Sequence, residues 1–269
     1  MGTSMSILQE RLSKGRALMP YLTASDPSQE ASLDAALGAA EGGAAALEVG
    51  IPFSDPVADG PVIQLAHQRA LAAGGSVSRC LDLVADLRRR SGIPVVLFTY
   101  LNPVLAYGAD RFVQDARKAG AQGVLVLDLP PEEDPEWYAF LAAKDLDPIV
   151  LHSPNTSQSR TARILPMGRG FVYVVSRAGV TGGHTGVTDE LAERIRTLRL
   201  LTDLPLAVGF GIREYKDVET VWSMAECAVT GSAFVNHLES VAPEEVRSAA
   251  RTFVNTLTQF EKPRQEIAP

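Results

Sequence analysis

Short apolar segments recur along the chain, and the longer stretches between them repeat their apolar residues with helical spacing. Most of the short segments are continuously apolar rather than alternating, as expected for parallel strands that are buried on both faces. Most consecutive segments begin roughly 20 to 35 residues apart, which is the length that a strand–helix unit requires, and the gap between the second and third is conspicuously longer. The predicted strands are Ala17–Leu22, Ala45–Val49, Val95–Phe98, Gly123–Leu127, Pro148–Leu151, Phe171–Val175, Leu206–Val208 and Ala228–Thr230.

The stretches between these strands predict helices, and Ser28, Ser76 and Thr188 precede three of them as N-cap residues. Strands that alternate with helices in this way favour a (β/α)8 TIM barrel with additional helices, and a doubly wound open sheet is the alternative. No long linker rich in proline and serine interrupts the pattern, so we expect residues 1–269 to form a single domain. The predicted helices are Gln29–Glu41, Val62–Ala73, Val77–Arg90, Asp110–Ala119, Trp137–Lys144, Ser157–Leu165 and Asp189–Leu200.

The composition narrows the range of functions. A net charge of −7 and scattered basic residues argue against a nucleic-acid groove, which needs clustered Lys and Arg. Cys80 and Cys227 lie far apart and the 4 histidines show no paired-ligand spacing, so neither a disulfide framework nor a metal site is expected. The N-terminus lacks the features of a signal peptide, and no apolar segment approaches the roughly 20 residues of a membrane helix. We therefore expect a cytoplasmic protein.

Glu48 is a carboxylate within an otherwise apolar predicted strand. Burying it costs several kcal/mol unless it is paired or keeps its proton, and a raised pKa would make it a usable general acid. A structural glutamate that is hydrogen-bonded to a neighbouring strand is the alternative. Asp55 and Asp59 follow in a loop rich in proline, where either could be only a turn former or a helix cap. Two carboxylates at one barrel mouth could nevertheless serve as separate acid and base.

Glycine turns follow the last two predicted strands, at Gly209–Gly211 and at Gly231–Ser232. Barrels often bind phosphate at this point through backbone N–H groups and the N-terminus of a short helix, and plain turn geometry is the alternative. The segment Ser176–Gly186 is also rich in glycine. It is typical either of a lid that closes over substrate or of an ordinary surface loop.

These segments together resemble the tryptophan synthase α-subunit family, in the expected order and over about nine-tenths of the chain. The strongest match is the sequence Leu47–Pro56, which continues into Ala58–Pro61. Further matches are Pro20–Ala24, Tyr100–Pro103, Asp128–Glu133, Val180–Gly182 and Gly209–Ile212.

The resemblance implies retro-aldol cleavage of indole-3-glycerol phosphate into indole and glyceraldehyde 3-phosphate, in tryptophan biosynthesis. Glu48 matches the family's acid/base residue, and Asp59 matches the carboxylate that binds the indole N–H. Tyr173 matches a supporting residue beside the reacting atoms. By the same match the phosphate is held by Gly182, Phe210, Gly211, Gly231 and Ser232, and the indole is walled by Tyr21, Tyr100, Leu125, Leu151, Phe210 and Val229.

The resemblance also implies that Thr181 meets Asp59 when the lid closes, and that a β subunit binds this chain. The expected assembly is a heterotetramer of two α and two β subunits, in which the β subunit carries pyridoxal phosphate and this chain needs no cofactor. The matched partner surface consists of Pro52, Asp55, Asn102, Asp128 and Pro130.

Three alternatives stay open from the sequence. A stand-alone indole-releasing lyase would share the fold and the catalytic residues. A degenerate barrel could act only as an allosteric partner, although Glu48, Asp59 and the phosphate glycines are all present. Another phosphate-binding barrel, such as a phosphoribosyl isomerase, has no obvious use for the Pro52–Pro56 sequence.

Overall fold

The computed structural model describes residues 5–176, 189–209 and 211–259, and it contains one parallel sheet that closes into a barrel. The strands are β1 Ala17–Thr23, β2 Leu47–Gly50, β3 Val95–Thr99, β4 Gly123–Val126, β5 Asp147–Pro148, β6 Val150–His152, β7 Val172–Val175, β8 Leu206–Gly209 and β9 Cys227–Thr230. In sheet order β5 and β6 form the two outer positions, and only Ile149 separates them along the chain.

The break between β5 and β6 is the point where the barrel closes. The sequence predicts one strand over Pro148–Leu151, but this segment changes its hydrogen-bonding neighbour midway. The N–H of Ile149 still donates to the carbonyl of Val124 on one side, at 3.0 Å, whereas Val150 pairs with Val172 on the other. The (β/α)8 barrel is therefore confirmed, and the open sheet is wrong.

The seven predicted helices are present with bounds within two residues of the prediction. The sequence pattern did not predict the helices Ile7–Leu12, Leu101–Tyr107, Tyr215–Trp222, Ser232–Glu239 and Val246–Thr258. Gln29–Glu41 and Val77–Arg90 begin and end where predicted. They begin there because the hydroxyls of Ser28 and Ser76 accept the N–H groups of Ala31 and Arg79. Thr188 lies outside the described residues. The helices are α1 Ile7–Leu12, α2 Gln29–Glu41, α3 Pro61–Ala72, α4 Val77–Arg90, α5 Leu101–Tyr107, α6 Ala109–Ala119, α7 Pro135–Ala143, α8 Gln158–Ile164, α9 Asp189–Arg199, α10 Tyr215–Trp222, α11 Ser232–Glu239 and α12 Val246–Thr258.

Side chains alternate along each strand between the barrel interior and the helix layer. In β2, Leu47 and Val49 pack in the outer core against the helices, so Glu48 between them faces the interior. Because both faces of the strand are buried, the strand reads as continuously apolar apart from this one residue. The interior cluster includes Met19, Tyr21, Ala46, Val96, Phe98, Leu125, Ile149, Phe171, Ala207, Cys227 and Val229.

One end of the barrel is closed by α1, which the sequence pattern did not predict. Leu8 and Leu12 on this helix are fully buried and belong to the interior cluster. Leu8 packs against the start of β4, where a Cβ on Gly123 would lie 2.9 Å from its Cδ1. The carboxyl ends of the strands therefore form the mouth, where the chemistry of such barrels is found.

No helix within the described part of the chain is long and apolar enough to cross a membrane. The assignment of residues 1–269 to one domain stays a prediction.

Candidate active site

Glu48 is an acidic residue whose side chain lies in the interior of the barrel. Its side chain is 1% exposed, and its Oε1 has no hydrogen-bond partner within residues 5–176, 189–209 and 211–259. Burial, and secondarily the negative charge of Asp59, raise the pKa of this carboxyl to about 8. The group therefore keeps its proton at neutral pH, as a general acid must.

Asp59 is held at the mouth by the loop between β2 and α3, and it is also buried. The hydroxyl of Tyr100 donates to its Oδ2 at 2.8 Å and accepts the N–H of Ala58 at 3.0 Å. Burial first, and then the charge of Asp59, raise the pKa of Tyr100. Tyr100 therefore stays protonated as a donor, and it fixes both the loop backbone and the carboxylate. The ring of Phe53 lies against Tyr100, with centroids 5.3 Å apart.

The bond from Tyr100 to Asp59 adds to what the sequence predicts. The resemblance gives Tyr100 a role in the wall of the indole site, and the structure also makes it the hydrogen-bond donor to the carboxylate. These residues lie 41 positions apart in the sequence, so no local pattern could pair them.

His67 is a residue of this site that sequence reasoning missed. It lies on the buried face of α3 with Ile63, Ala66 and Ala70, and its Nε2 is 3.4 Å from Asp59 Oδ2. Its Nδ1 accepts the N–H of Phe53 at 3.2 Å. None of the 4 histidines shows paired-ligand spacing in the sequence, so the spacing does not single out His67. The available signal was a polar side chain at a position of α3 where the helical pattern requires an apolar one.

Tyr21 and Tyr173 also line the barrel interior, Tyr21 on β1 next to the strand of Glu48 and Tyr173 on β7. Tyr21 is the register partner of Glu48 across β1 and β2. Burial raises the pKa of both phenols well above the usual value, and the charges of Glu48 and Asp59 raise it further. Both hydroxyls therefore stay protonated.

Two glycines make room for these rings. A Cβ on Gly50 would overlap the hydroxyl of Tyr21, and one on Gly209 would lie 2.8 Å from that of Tyr173. Gly209, in the first turn predicted to bind phosphate, therefore also makes room for the Tyr173 ring.

The predicted indole walls converge on the same interior. Leu125 is fully buried and Val229 is 4% exposed, and both belong to the interior cluster with Tyr21. Leu151 is partly buried against that cluster and is the register partner of Tyr173. The structure thus brings these apolar residues together around the interior that holds Glu48.

The short helix α11 begins at the mouth directly after β9. Gly231 is its N-cap, and a Cβ there would lie 3.5 Å from Cδ1 of Ile63 and 3.9 Å from Cβ of Tyr21. The hydroxyl of Ser232 is buried and has no hydrogen-bond partner in the part of the chain that the structure describes. A helix N-terminus with a free buried hydroxyl is suited to an anion.

Gly211, in the second predicted phosphate turn, has φ +53° and is exposed. Left-handed backbone of this kind favours glycine. The predicted substrate residues Thr181, Gly182 and Phe210 lie outside the described residues, as does the predicted lid from position 177 onward.

Four of the five residues predicted for the partner surface are exposed: Asp55, Asn102, Asp128 and Pro130. Asp128 also accepts the N–H of Leu101 at 2.7 Å, which satisfies a backbone donor at the start of α5. Pro52 is different, because it is buried and packs beside Gly75, where a Cβ would lie 2.9 Å from its ring. Its side chain is therefore not exposed in this chain, and its place at the partner surface stays a prediction.

A family model described as "Tryptophan synthase alpha chain" matches residues 8–264. The tryptophan synthase alpha chain of Methylibium petroleiphilum is 44% identical over 244 residues, and the match covers 90% of each chain. Among solved structures, tryptophan synthase of Mycobacterium tuberculosis has a TM-score of 0.87 at 33% identity and covers 95% of this chain and 98% of that one. A tryptophan synthase complex of Pyrococcus furiosus has a TM-score of 0.84 at 33% identity and covers 91% and 98%.

The raised pKa of Glu48 predicts a pH-dependent stability that Glu48→Gln removes. The folded chain binds this proton with a pKa of about 8, against an ordinary value of 4.5, so unfolding releases it between these pH values. The free energy of unfolding of the wild type, relative to Glu48→Gln, should fall by on the order of 4 kcal/mol between about pH 5 and pH 8. Urea denaturation at several pH values measures this difference. If the free energies of unfolding of the wild type and of Glu48→Gln changed in parallel with pH, Glu48 would ionise normally in the folded chain.

Proposed function

The chain belongs to the tryptophan synthase alpha chain family, and we propose that it cleaves indole-3-glycerol phosphate to indole and glyceraldehyde 3-phosphate. Family membership gives the chain a lyase role in tryptophan synthesis. The observation that carries the specific reaction is a buried Glu48 that keeps its proton in the barrel interior, with the carboxylate of Asp59 close enough to act on it.

The reaction needs one proton to move from oxygen to carbon. Ring carbon C3 accepts a proton, and the indole nitrogen takes on positive charge. The hydroxyl on the adjacent side-chain carbon then loses its proton, and its electrons form the aldehyde C=O. The bond between C3 and this carbon breaks, and its electron pair returns to the ring. No proton is gained or lost overall, so one carboxyl can serve as acid and then as base.

Glu48 is suited to both transfers. As a neutral acid it gives its proton to C3, and as the resulting carboxylate it accepts the hydroxyl proton. A pKa of about 8 leaves the two protonation states close in free energy near neutral pH, which favours transfer in both directions. Tyr173 stays a phenol beside it, as a neutral donor in a supporting role.

Asp59 stabilises the positive charge that develops on the indole ring. Its Oδ2 accepts the Tyr100 hydroxyl, and no hydrogen bond engages its Oδ1 within the described residues. We assign Oδ1 to the indole N–H, because a fixed carboxylate in a site closed to water stabilises developing charge strongly. The indole then packs against Tyr21, Tyr100, Leu125, Leu151, Phe210 and Val229.

The phosphate binds at the start of α11. Gly231 allows close backbone approach, and the unpartnered hydroxyl of Ser232 supplies a donor beside the N–H groups of the first turn. Gly182, Phe210 and Gly211 complete this subsite by the family match. None of the steps above requires a cofactor in this chain, and pyridoxal phosphate is assigned to the partner.

We further propose that the chain acts in the cytoplasm and pairs with a β subunit, in a heterotetramer of two α and two β subunits. One solved relative is a tryptophan synthase complex. Asp55, Asp128 and Pro130 lie on loops, and Asn102 lies on α5. The loop of Asp55 and the helix α5 also expose two apolar side chains. These are Val57, 78% exposed, and Leu105, 57% exposed, which suits burial against another protein.

Glu48→Gln should lower the turnover number by at least about a thousandfold, because an amide cannot exchange the proton at this position. Binding of the substrate analogue indole-propanol phosphate should change little. Asp147→Asn is the matched control. Asp147 is also buried, and burial raises its pKa, but it lies at the start of β5, at the opposite end of the barrel. An active Glu48→Gln enzyme would remove Glu48 from the mechanism.

Adding a β subunit should raise the rate of glyceraldehyde 3-phosphate release by the purified chain. Leu105→Asp should reduce the ratio of the stimulated to the unstimulated rate about tenfold or more, because a charge would be buried in the interface. Leu200→Asp is the control, since Leu200 is 86% exposed just after α9 and away from these loops. A chain that works at full rate alone and ignores the β subunit would instead be a stand-alone lyase.

A further inference from the structure

His67 is anchored through one of its two ring nitrogens. The residue is 1% exposed and lies two turns into α3, on the face that packs inward with Ile63 and Ala66. Its Nδ1 accepts the backbone N–H of Phe53, at 3.2 Å, from the loop that precedes Asp59. The ring is therefore fixed between the helix and this loop.

This anchor determines where the ring proton lies. A backbone N–H can only donate, so Nδ1 carries no proton, and the neutral imidazole must carry its proton on Nε2. The Nε2 atom is buried, and it has no hydrogen-bond partner in the described ranges. Its charged neighbour is Oδ2 of Asp59, at 3.4 Å. A buried N–H without an acceptor is costly, and a shift of about half an ångström brings this pair to ordinary hydrogen-bond distance.

We propose that His67 is a positioning residue for Asp59, and that its Nε2–H directs the carboxylate by donating to Oδ2. This inference rests on the proposed role of Asp59 in binding the indole N–H. Tyr100 donates to the same oxygen at 2.8 Å from the end of β3, and His67 approaches it from α3. Two donors from different elements engage one oxygen, so the carboxylate cannot rotate freely and Oδ1 is presented to the substrate.

Histidine is suited to this position because its two nitrogens point to opposite sides of one rigid ring. An asparagine could replace Nδ1 but would not reach Asp59. A glutamine could replace Nε2 but would leave the N–H of Phe53 without an acceptor. The imidazole does both, and it thereby ties the loop backbone to the carboxylate that the loop carries.

Three variants separate the donor from the rest of the side chain. His67→Gln keeps an N–H directed at Asp59, and His67→Met has the same length without a donor. Both lose the bond to Phe53, so they share its cost in stability. The expected result is that kcat/KM for glyceraldehyde 3-phosphate release falls about tenfold or more from Gln to Met, as for loss of a hydrogen bond to a charged group. His67→Asn keeps an acceptor for the N–H of Phe53 but places no donor at Asp59, so its kcat/KM should resemble that of His67→Met. It replaces His67→Met in the comparison if that variant does not fold.

The same pair is then compared in an Asp59→Asn background. If His67 acts by positioning the Asp59 carboxylate, its donor should matter little once that carboxylate is replaced by an amide. The difference in kcat/KM between His67→Gln and His67→Met should therefore shrink to about twofold or less. Thermal unfolding of each variant provides the folding control. Equal rates for Gln and Met, or the same difference in both backgrounds, would overturn the proposal for His67 alone. A wild type that releases no product would overturn the proposed function itself.

Discussion

The burial of the Glu48 carboxyl in the largely apolar interior of the barrel is the constraint on which the site depends. Strand β2 sends Leu47 and Val49 toward the helices and Glu48 toward the interior, so its backbone geometry alone gives the acid its environment. No hydrogen bond engages Oε1 of Glu48 within the described residues, and burial raises its pKa to about 8. The apolar surroundings that make this residue costly to stability also make it a proton donor at neutral pH.

Around this acid, the mouth supplies a second carboxylate under different conditions. Asp59 is buried like Glu48, but it has polar neighbours: the Tyr100 hydroxyl at 2.8 Å and His67 Nε2 at 3.4 Å. Two acids whose surroundings differ in this way can take different roles in one reaction. The division of roles therefore follows from packing. Oε1 of Glu48 has no hydrogen-bond donor within the described residues, whereas Oδ2 of Asp59 accepts the Tyr100 hydroxyl.

The sequence predicts those features that depend on local pattern. The strands are readable because both faces are buried, and Glu48 stands out because a charge in such a strand is costly. Two features could be recognised only from the three-dimensional fold. The split at Ile149 arises from barrel closure, and His67 has the helical position of an ordinary core residue until α3 brings it to Asp59. Short helices such as α5 also escaped prediction, since a side chain 27 residues away, Asp128, satisfies the first turn.

The most direct test is a titration of the Glu48 carboxyl in the folded chain, followed by carbon-13 NMR and assigned by comparison with Glu48→Gln. A midpoint near 8 is the predicted result, since burial in the barrel interior stabilises the protonated form. A midpoint near the ordinary value of 4.5 would mean that the carboxyl is charged and solvated at neutral pH. That result would contradict both its role as the proton donor and the mechanism built on it.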